Sequence, residues 1–173
     1  MVNVCFCFMW FDPHWHARDE EQSYKDTIAR SLELVNAAGG TAIAAMPNVA
    51  RPLISLERCR EYLAIADLAA SPVQFYVHIG LTADVEQVKR AVEACRIEPR
   101  IIGVKAYWGR STGDLSIIQE NDQHLVLETL VREGYEGVLV SHCEKEVVMN
   151  DNLYDSNNPI TWSTLSRPEK AEI

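Results

Sequence analysis

The feature that most constrains the fold is a regular alternation of short apolar runs with longer segments of helical periodicity. Five apolar runs have the length and composition of buried strands: Val2–Phe11, Thr41–Met46, Val73–Leu81, Ile101–Trp108 and Gly137–His142. Four intervening segments repeat apolar residues at helical spacing: Glu20–Ala38, Ser55–Leu68, Ala83–Cys95 and Ile117–Gly134. Strands that alternate with helices of this length form βαβ units, so the sequence predicts a parallel sheet that is buried on both faces.

The apolar positions of the helical segments indicate which side of each helix packs on the sheet. Inward-facing residues are predicted at Tyr24, Ile28, Leu32 and Val35, at Leu56, Leu63 and Ile65, and at Leu125, Leu127, Leu130 and Val131. After the fifth strand this periodicity disappears, and residues 150–166 are rich in Asn, Asp, Ser and Pro. Because a structureless run of that length is unusual inside a compact domain, we expect it to be functional. Residues 167–173, with Pro168 near their start, predict the first turns of a further helix.

Composition and charge narrow the class of protein. A length of 173 residues with 47% apolar content favours one domain with a substantial core. The net charge of −9 disfavours nucleic acid and acidic membranes as partners. Five cysteines without zinc-ribbon or CxxC spacing are typical of free thiols in the reducing cytoplasm. The apolar start, Met1–Trp10, lacks the basic flank and the cleavage site of a signal peptide, which favours a strand.

Five βα units suit either a doubly wound open sheet or part of a barrel. A doubly wound sheet commonly carries a glycine-rich turn after its first strand, and this chain has His14-Trp15-His16 there. A (β/α)8 TIM-type barrel needs eight strands and about 250 residues. We therefore predict that residues 1–173 form the N-terminal portion of one barrel domain, with about the first five βα units. In such barrels the chemistry lies at the carboxyl ends of the strands.

Two histidines follow the first predicted strand in an alternating pattern. His14 and His16 are two positions apart, so both imidazoles leave the same face of an extended chain. Two nitrogen ligands side by side suit a divalent transition metal such as zinc. Two strand histidines without a metal are the commoner situation for an isolated motif of this kind, so the hypothesis depends on the other strand ends.

Those strand ends carry further polar residues. Asn48 follows the end of the second strand, the fourth strand contains Lys105, and the fifth ends at His142. A lysine inside an apolar strand shifts toward the neutral amine, which can react with CO2 to give a carbamate able to bridge two metals. The alternative for Lys105 is a lysine that reaches solvent or pairs with an acid.

Taken together in chain order, four motifs resemble those of dihydroorotases, members of the amidohydrolase superfamily. The motifs are His14-Trp15-His16-Ala17-Arg18, Met46-Pro47-Asn48, Gly103-Val104-Lys105-Ala106-Tyr107 and His142-Cys143-Glu144. The resemblance implies a (β/α)8 barrel with two zinc ions, bridged by carboxylated Lys105 and bound by His14, His16 and His142. It implies that Arg18 and Asn48 hold the carboxylate of the substrate.

The implied activity is that of a cytoplasmic, zinc-dependent hydrolase of pyrimidine biosynthesis, which interconverts dihydroorotate and N-carbamoyl-L-aspartate reversibly. The family also uses a histidine ligand from strand six and a general-acid aspartate from strand eight. We assign neither to this chain, because His78 lies within the predicted third strand and His124 within the fourth helix. No catalytic acid or base is therefore assigned among the 173 residues.

Several alternatives stay open. Another cyclic-amide hydrolase, such as an allantoinase or dihydropyrimidinase, would share the metal residues. A catalytically dead scaffold that associates with aspartate transcarbamoylase is a hypothesis of a different class, and a homodimer is a further possibility. Arg18 has a simpler alternative role in a surface salt bridge with Asp19 or Glu20.

Three further features near the strand ends have structural or functional interpretations. Cys143 is predicted to pack away from His142, and Glu144 is either near the metals or solvated. The glycines of Gly109-Arg110-Ser111-Thr112-Gly113 predict a mobile loop over the site. Cys5 and Cys7 share a strand face, but buried apolar packing is the more common use of such cysteines.

Overall fold

The computed structural model describes residues 9–111 and 115–171. Five strands form one parallel sheet in sequence order: β1 (Trp10–Trp15), β2 (Gly40–Ala45), β3 (Gln74–Gly80), β4 (Ile101–Tyr107) and β5 (Val138–His142). A helix connects each strand to the next: α1 (Ile28–Ala37), α2 (Leu56–Leu68), α3 (Val85–Ile97) and α4 (Glu120–Arg132). The sheet is the curled half of a (β/α)8 barrel, so the predicted fold class is confirmed.

Local sequence signals explain where three of the helices begin. The side chains of Thr27, Ser55 and Asp84 each accept a hydrogen bond from a backbone N–H in the first turn of the helix that follows. Such caps satisfy amides that have no partner within the helix. The helices then place Leu32, Leu63 and other apolar residues against the outer face of the sheet, in one continuous core. No helix in the described part of the chain is long and apolar enough to cross a membrane.

The first strand ends later, and the first helix begins later, than the sequence pattern predicted. Residues 2–8 of the predicted strand Val2–Phe11 lie outside the described residues, and β1 continues to Trp15, which places His14 within it. The predicted helix Glu20–Ala38 is wrong in its first part, because residues 20–22 form a separate 3-10 turn. Asp19 separates the two elements, since its carboxylate accepts from the N–H groups of both Glu20 and Ile28. Tyr24 is consequently 78% exposed and does not face the core.

Helix α4 buries a different side from the one predicted. Leu130 is buried as expected, but Leu125, Leu127 and Val131 are exposed, and Val126 and Thr129 point inward. Thr129 can occupy an inward position because its hydroxyl donates to the Leu125 carbonyl at 2.7 Å. Burying a hydroxyl costs little free energy when it is hydrogen-bonded within its own helix. A hydropathy pattern does not show such a bond, so it did not predict the inward position of Thr129.

The chain after β5 is built of short turns. It contains 3-10 turns at Glu146–Val148, Asp151–Leu153 and Glu169–Ala171 and one π-helical turn at Trp162–Ser166. The helix predicted over 167–173 is therefore wrong as far as residue 171, and the last two residues lie outside the described part. Hydrogen bonds from Lys145 N to Ala171 O and from Asn150 N to Ser166 O hold the two ends of this segment together.

Candidate active site

The two histidines of the first motif stand side by side at the carboxyl end of β1. The ring centroids of His14 and His16 are 5.3 Å apart. Partial burial lowers the pKa of His14, and the charge of Lys105 lowers it further. Burial, followed by the charge of Arg18, lowers the pKa of His16 in the same way. Both shifts favour the neutral imidazole, which is the form that binds metal ions.

Asn48 orients the second of these rings. The Asn48 Oδ1 lies 3.1 Å from Nδ1 of His16. When Nδ1 donates a hydrogen bond to this oxygen, the lone pair of Nε2 is left free for a ligand. Such a contact fixes both the tautomer and the direction of a metal-binding histidine.

Lys105 lies in the interior of the sheet. It is 1% exposed, in β4 between Gly80 of β3 and Val140 of β5. Burial lowers its pKa to about 8. Among the described residues its Nζ has no acidic partner, and it lies over the ring of Tyr107, 4.9 Å from the centroid. Within the described residues, Lys105 therefore neither pairs with an acid nor reaches solvent, so the alternative role considered for it is not observed.

His142 lies at the end of β5, one strand from Lys105. Its ring centroid is 5.8 Å from that of Tyr107, with which it is paired in register. Its Nε2 is 3.0 Å from Glu144 Oε2, and the other oxygen of this carboxylate accepts from Nη1 of Arg167 at 2.9 Å. Glu144 is thus a partly buried link between β5 and the terminal segment. Cys143 is exposed, so the predicted packing of its side chain is wrong.

The arrangement gathers some of the predicted ligands more closely than others. His14 and His16 adjoin each other and lie within electrostatic range of Lys105. Within residues 9–111 and 115–171, however, no three His, Cys, Asp or Glu side chains are close enough together to hold a metal ion. His142 therefore does not form a metal-binding cluster with His14 and His16 in this arrangement. The chemistry of the donors still fits zinc, because two imidazoles lie within electrostatic range of a buried amine that has no acidic partner in the described part of the chain, and a carbamate on that amine would supply an anion.

Arg18 lies beside the histidines and has no acidic partner among the described residues. Its Nη1 donates to the Asn48 carbonyl at 2.7 Å and lies 3.5 Å from Gln22 Oε1. The acids that follow it in sequence are used elsewhere, since Asp19 caps a turn and Glu20 pairs with Arg51 and Arg58. The surface salt bridge considered for Arg18 is therefore absent from this part of the structure, and most of its N–H groups are free for a ligand.

Sequence reasoning missed a contact of His78. This residue of β3 is 1% exposed, and its Nε2 lies 2.9 Å from the carbonyl oxygen of Pro13, directly before His14. Burial lowers the pKa of His78. The signal that could have revealed the contact is a histidine in the middle of an apolar strand, because buried polar groups need partners.

The loop after β4 is described only in part. The backbone N–H of Arg110 donates to Glu146 at 2.8 Å, and that of Ser111 donates to the hydroxyl of Ser116 at 2.9 Å. Residues 112–114 lie outside the described residues, so the prediction of a mobile loop remains a prediction.

Comparisons with known proteins support the fold. No family model matches the sequence, and no curated protein matches it either. Among solved structures, L-hydantoinase (dihydropyrimidinase) from Arthrobacter aurescens matches 80% of this chain and 30% of its own, with a TM-score of 0.63 and 19% identity. A D-hydantoinase matches 94% of this chain and 35% of its own, with a TM-score of 0.62 and 21% identity.

A dihydroorotase is also among the similar structures. The Saccharomyces cerevisiae enzyme in complex with 5-fluoroorotic acid matches 78% of this chain and 36% of its own, with a TM-score of 0.58 and 23% identity. The chain thus spans about a third of the length of these structures. These similar structures are two hydantoinases and a dihydroorotase, and at this level of identity the likeness shows the barrel fold alone.

Proposed function

We propose that the protein is a zinc-dependent hydrolase of cyclic amides whose substrate is dihydroorotate. The observation that carries this proposal is the position of Arg18: a guanidinium without an acidic partner in the described part of the chain, joined through Asn48 to the histidine pair. A carboxylate bound by Arg18 would bring the rest of a small ring to His14 and His16. Dihydroorotate has such a carboxylate, whereas dihydrouracil and allantoin do not.

The residues that would hold two zinc ions are His14, His16, His142 and carboxylated Lys105. The chemistry that bound zinc supplies is polarisation of the ring carbonyl and activation of a water molecule for attack on it. Lys105 is prepared for carboxylation by its burial, because an amine with a pKa of about 8 is neutral in about a tenth of molecules at pH 7. An ordinary lysine amine is neutral far less often at that pH, and only the neutral amine reacts with CO2.

Arg18 and Asn48 have separate tasks in this proposal. The planar guanidinium of Arg18 can hold a carboxylate through two parallel, charge-assisted hydrogen bonds. Its contact with the Asn48 carbonyl limits the orientations of the fork. Asn48 also contacts His16, so the substrate carboxylate and the metal side of the site are positioned by the same residue. No residue among the 173 is assigned the role of protonating the leaving nitrogen.

The test is the Arg18→Met variant of the full-length protein. A lost charge-assisted bond costs about 1.5–3 kcal/mol, so we expect kcat/KM for dihydroorotate to fall at least about tenfold. Zinc content, measured by elemental analysis, should stay at that of the parent. Arg30→Met is the matched control, because Arg30 is an exposed arginine of α1 with only a 3.8 Å contact to Glu33. Normal turnover of dihydroorotate by Arg18→Met would refute the substrate assignment and leave the metal assignment intact.

A second candidate is a hydantoinase- or allantoinase-like activity on uncharged rings. The observation in its favour is that two hydantoinases match the fold with TM-scores of 0.63 and 0.62, against 0.58 for the yeast dihydroorotase. Parallel assays of dihydroorotate, hydantoin, dihydrouracil and allantoin separate the candidates. A preference for an uncharged ring, unaffected by Arg18→Met, would favour the second one.

A further inference from the structure

We infer that His78 is a positioning residue for the metal site: its imidazole holds the peptide group from which His14 projects. The inference rests on the proposed function, because it treats His14 as a zinc ligand. Nε2 of His78 lies 2.9 Å from the carbonyl oxygen of Pro13. His78 belongs to β3 and Pro13 to β1, and β2 lies between these strands in the sheet. The contact therefore reaches across the sheet and is no part of the strand ladder.

The ladder itself is irregular at this point. In the pairing of β1 with β2, Asp12 lies opposite Ile43 and Trp15 opposite Ala45, so three steps along one strand match two along the other. Such a bulge leaves local backbone groups unpaired, and Pro13 has no N–H to contribute. The backbone around His14 therefore lacks some of the hydrogen bonds between strands that would normally hold it in place.

Side chains hold both ends of the Pro13–His14 peptide group. Its carbonyl oxygen is bound by His78, and its N–H donates to Oδ1 of Asp12 at 2.8 Å. A peptide group is planar, so holding its oxygen and its hydrogen fixes the plane. The direction in which the side chain of His14 leaves the backbone is set in turn. His78 thereby acts on the metal site through the backbone, without touching the metal.

The contact with Pro13 determines which nitrogen of His78 carries the hydrogen. A carbonyl oxygen only accepts, so Nε2 must carry the hydrogen. Nδ1 lies beside the backbone of Gly103 and makes no hydrogen bond of normal geometry among the described residues. Gly103 leaves room for this edge of the ring, since a Cβ at position 103 would lie 3.0 Å from Nδ1. An apolar side chain would fill the same space without burying an unpaired nitrogen.

The experiment measures zinc affinity of the full-length protein by competition with a chromophoric chelator. His78→Leu removes the donor, and loss of an outer partner of a metal ligand typically weakens metal binding about 10–100-fold. His78→Gln can place an amide N–H near the Pro13 oxygen, so we expect it to restore affinity to within about threefold of the parent. His124→Leu is the matched control, because His124 is an exposed histidine of α4 and should leave zinc affinity unchanged.

The outcomes separate this inference from the proposed function. If the parent binds zinc and folded His78→Leu binds it equally well, the positioning role is overturned and the metal site stands. If the parent binds no zinc, the proposed function fails and this inference fails with it. Should His78→Leu not fold, the nitrogen-15 imidazole spectrum of the parent decides. A signal for His78 with the hydrogen on Nε2 supports the contact, and one with the hydrogen on Nδ1 alone overturns it.

Discussion

Strands β4 and β5 are neighbours of similar apolar composition that lie in different surroundings. In β4, six of seven residues are buried, whereas β5 has no fully buried residue and Val138 is 57% exposed. Lys105, on β4, is fixed by packing on both sides. His142, on β5, is held by Glu144, which is in turn held by Arg167 of the terminal segment. One half of the candidate site is therefore preorganised by the core, and the other half depends on polar contacts near the edge of the sheet.

The largest expected effect comes from the histidine pair at the end of β1, the edge strand on the opposite side of the sheet from β5. The double change His14→Ala, His16→Ala should reduce the zinc content of the full-length protein from two ions per chain to none and abolish hydrolysis. The reason is that imidazole nitrogens are the strongest neutral zinc ligands in this part of the site. Elemental analysis measures the result, with His124→Ala as the control. Active parent protein without stoichiometric metal would refute the binuclear site.

The burial of Lys105 should make the free energy of unfolding depend on pH. In metal-free protein, its pKa is about 8 when folded against 10.5 when unfolded. Below pH 8 it is charged in both states, so the full penalty of burying the charge is present. The penalty disappears between pH 8 and 10.5, because the unfolded chain binds more protons there. The free energy of unfolding of the parent, relative to Lys105→Met, should thus rise by on the order of 3 kcal/mol across this window.

Chemical denaturation at a series of pH values measures this difference. Comparison with Lys105→Met cancels the titration of tyrosines and cysteines that both proteins share. Lys89→Met is the matched control, because Lys89 lies on the surface of α3 beside Glu86 and should show no such rise. A difference that does not vary with pH would mean that Lys105 is not buried as a charged amine.

A smaller effect is expected on the edge side. Glu144→Gln weakens the link from His142 to Arg167, and a lost hydrogen bond to a charged group costs about 1–3 kcal/mol. Residues 145–171 should then be cleaved faster by proteases or exchange amide hydrogens faster, while helices α1 to α3 stay protected. Glu128→Gln is the control, because Glu128 forms an exposed pair with Arg132; it should change neither the rate of cleavage nor the rate of amide hydrogen exchange in residues 145–171. Equal protection in Glu144→Gln would show that this segment is held by other contacts.

The smallest expected effect concerns association through the edge of the sheet. The exposed Val138 on a parallel edge strand favours pairing with another chain, so we expect residues 1–173 alone to be inactive and to associate. A lysine in place of Val138 should weaken self-association by at least about tenfold, or roughly 1.4 kcal/mol. Sedimentation velocity over a range of concentrations measures it. Leu68→Lys, at another exposed apolar position, is the control, and a monomeric, active 173-residue chain would contradict the prediction.

The partner and location predictions stay predictions. They comprise a homodimer, an association with aspartate transcarbamoylase and a cytoplasmic location. What the structure adds is the exposed side chain of Val138 on β5, which a partner at that edge of the sheet would cover. The described cysteines, Cys59, Cys95 and Cys143, are free thiols.

The sequence by itself determined the fold class, the order of the elements and the strand ends at which the polar residues gather. These follow from periodicity and from the rule that parallel strands end at one edge, both of which are local or topological properties. The five strands were located to within a few residues where the chain is described, and Ser55 marks the start of α2 as its residue type suggests.

Only the tertiary structure decided which partner each polar side chain finds. Arg18 contacts Asn48, 30 positions away, in place of the neighbouring acids, and His78 contacts Pro13, 65 positions away. Helix α1 begins late because Asp19 binds two amides at once, and α4 turns Thr129 inward because its hydroxyl is satisfied within the helix. Hydrogen bonds between residues distant in sequence depend on how the strands curl and pack. Periodicity records which face of an element is apolar and carries no information about those distances.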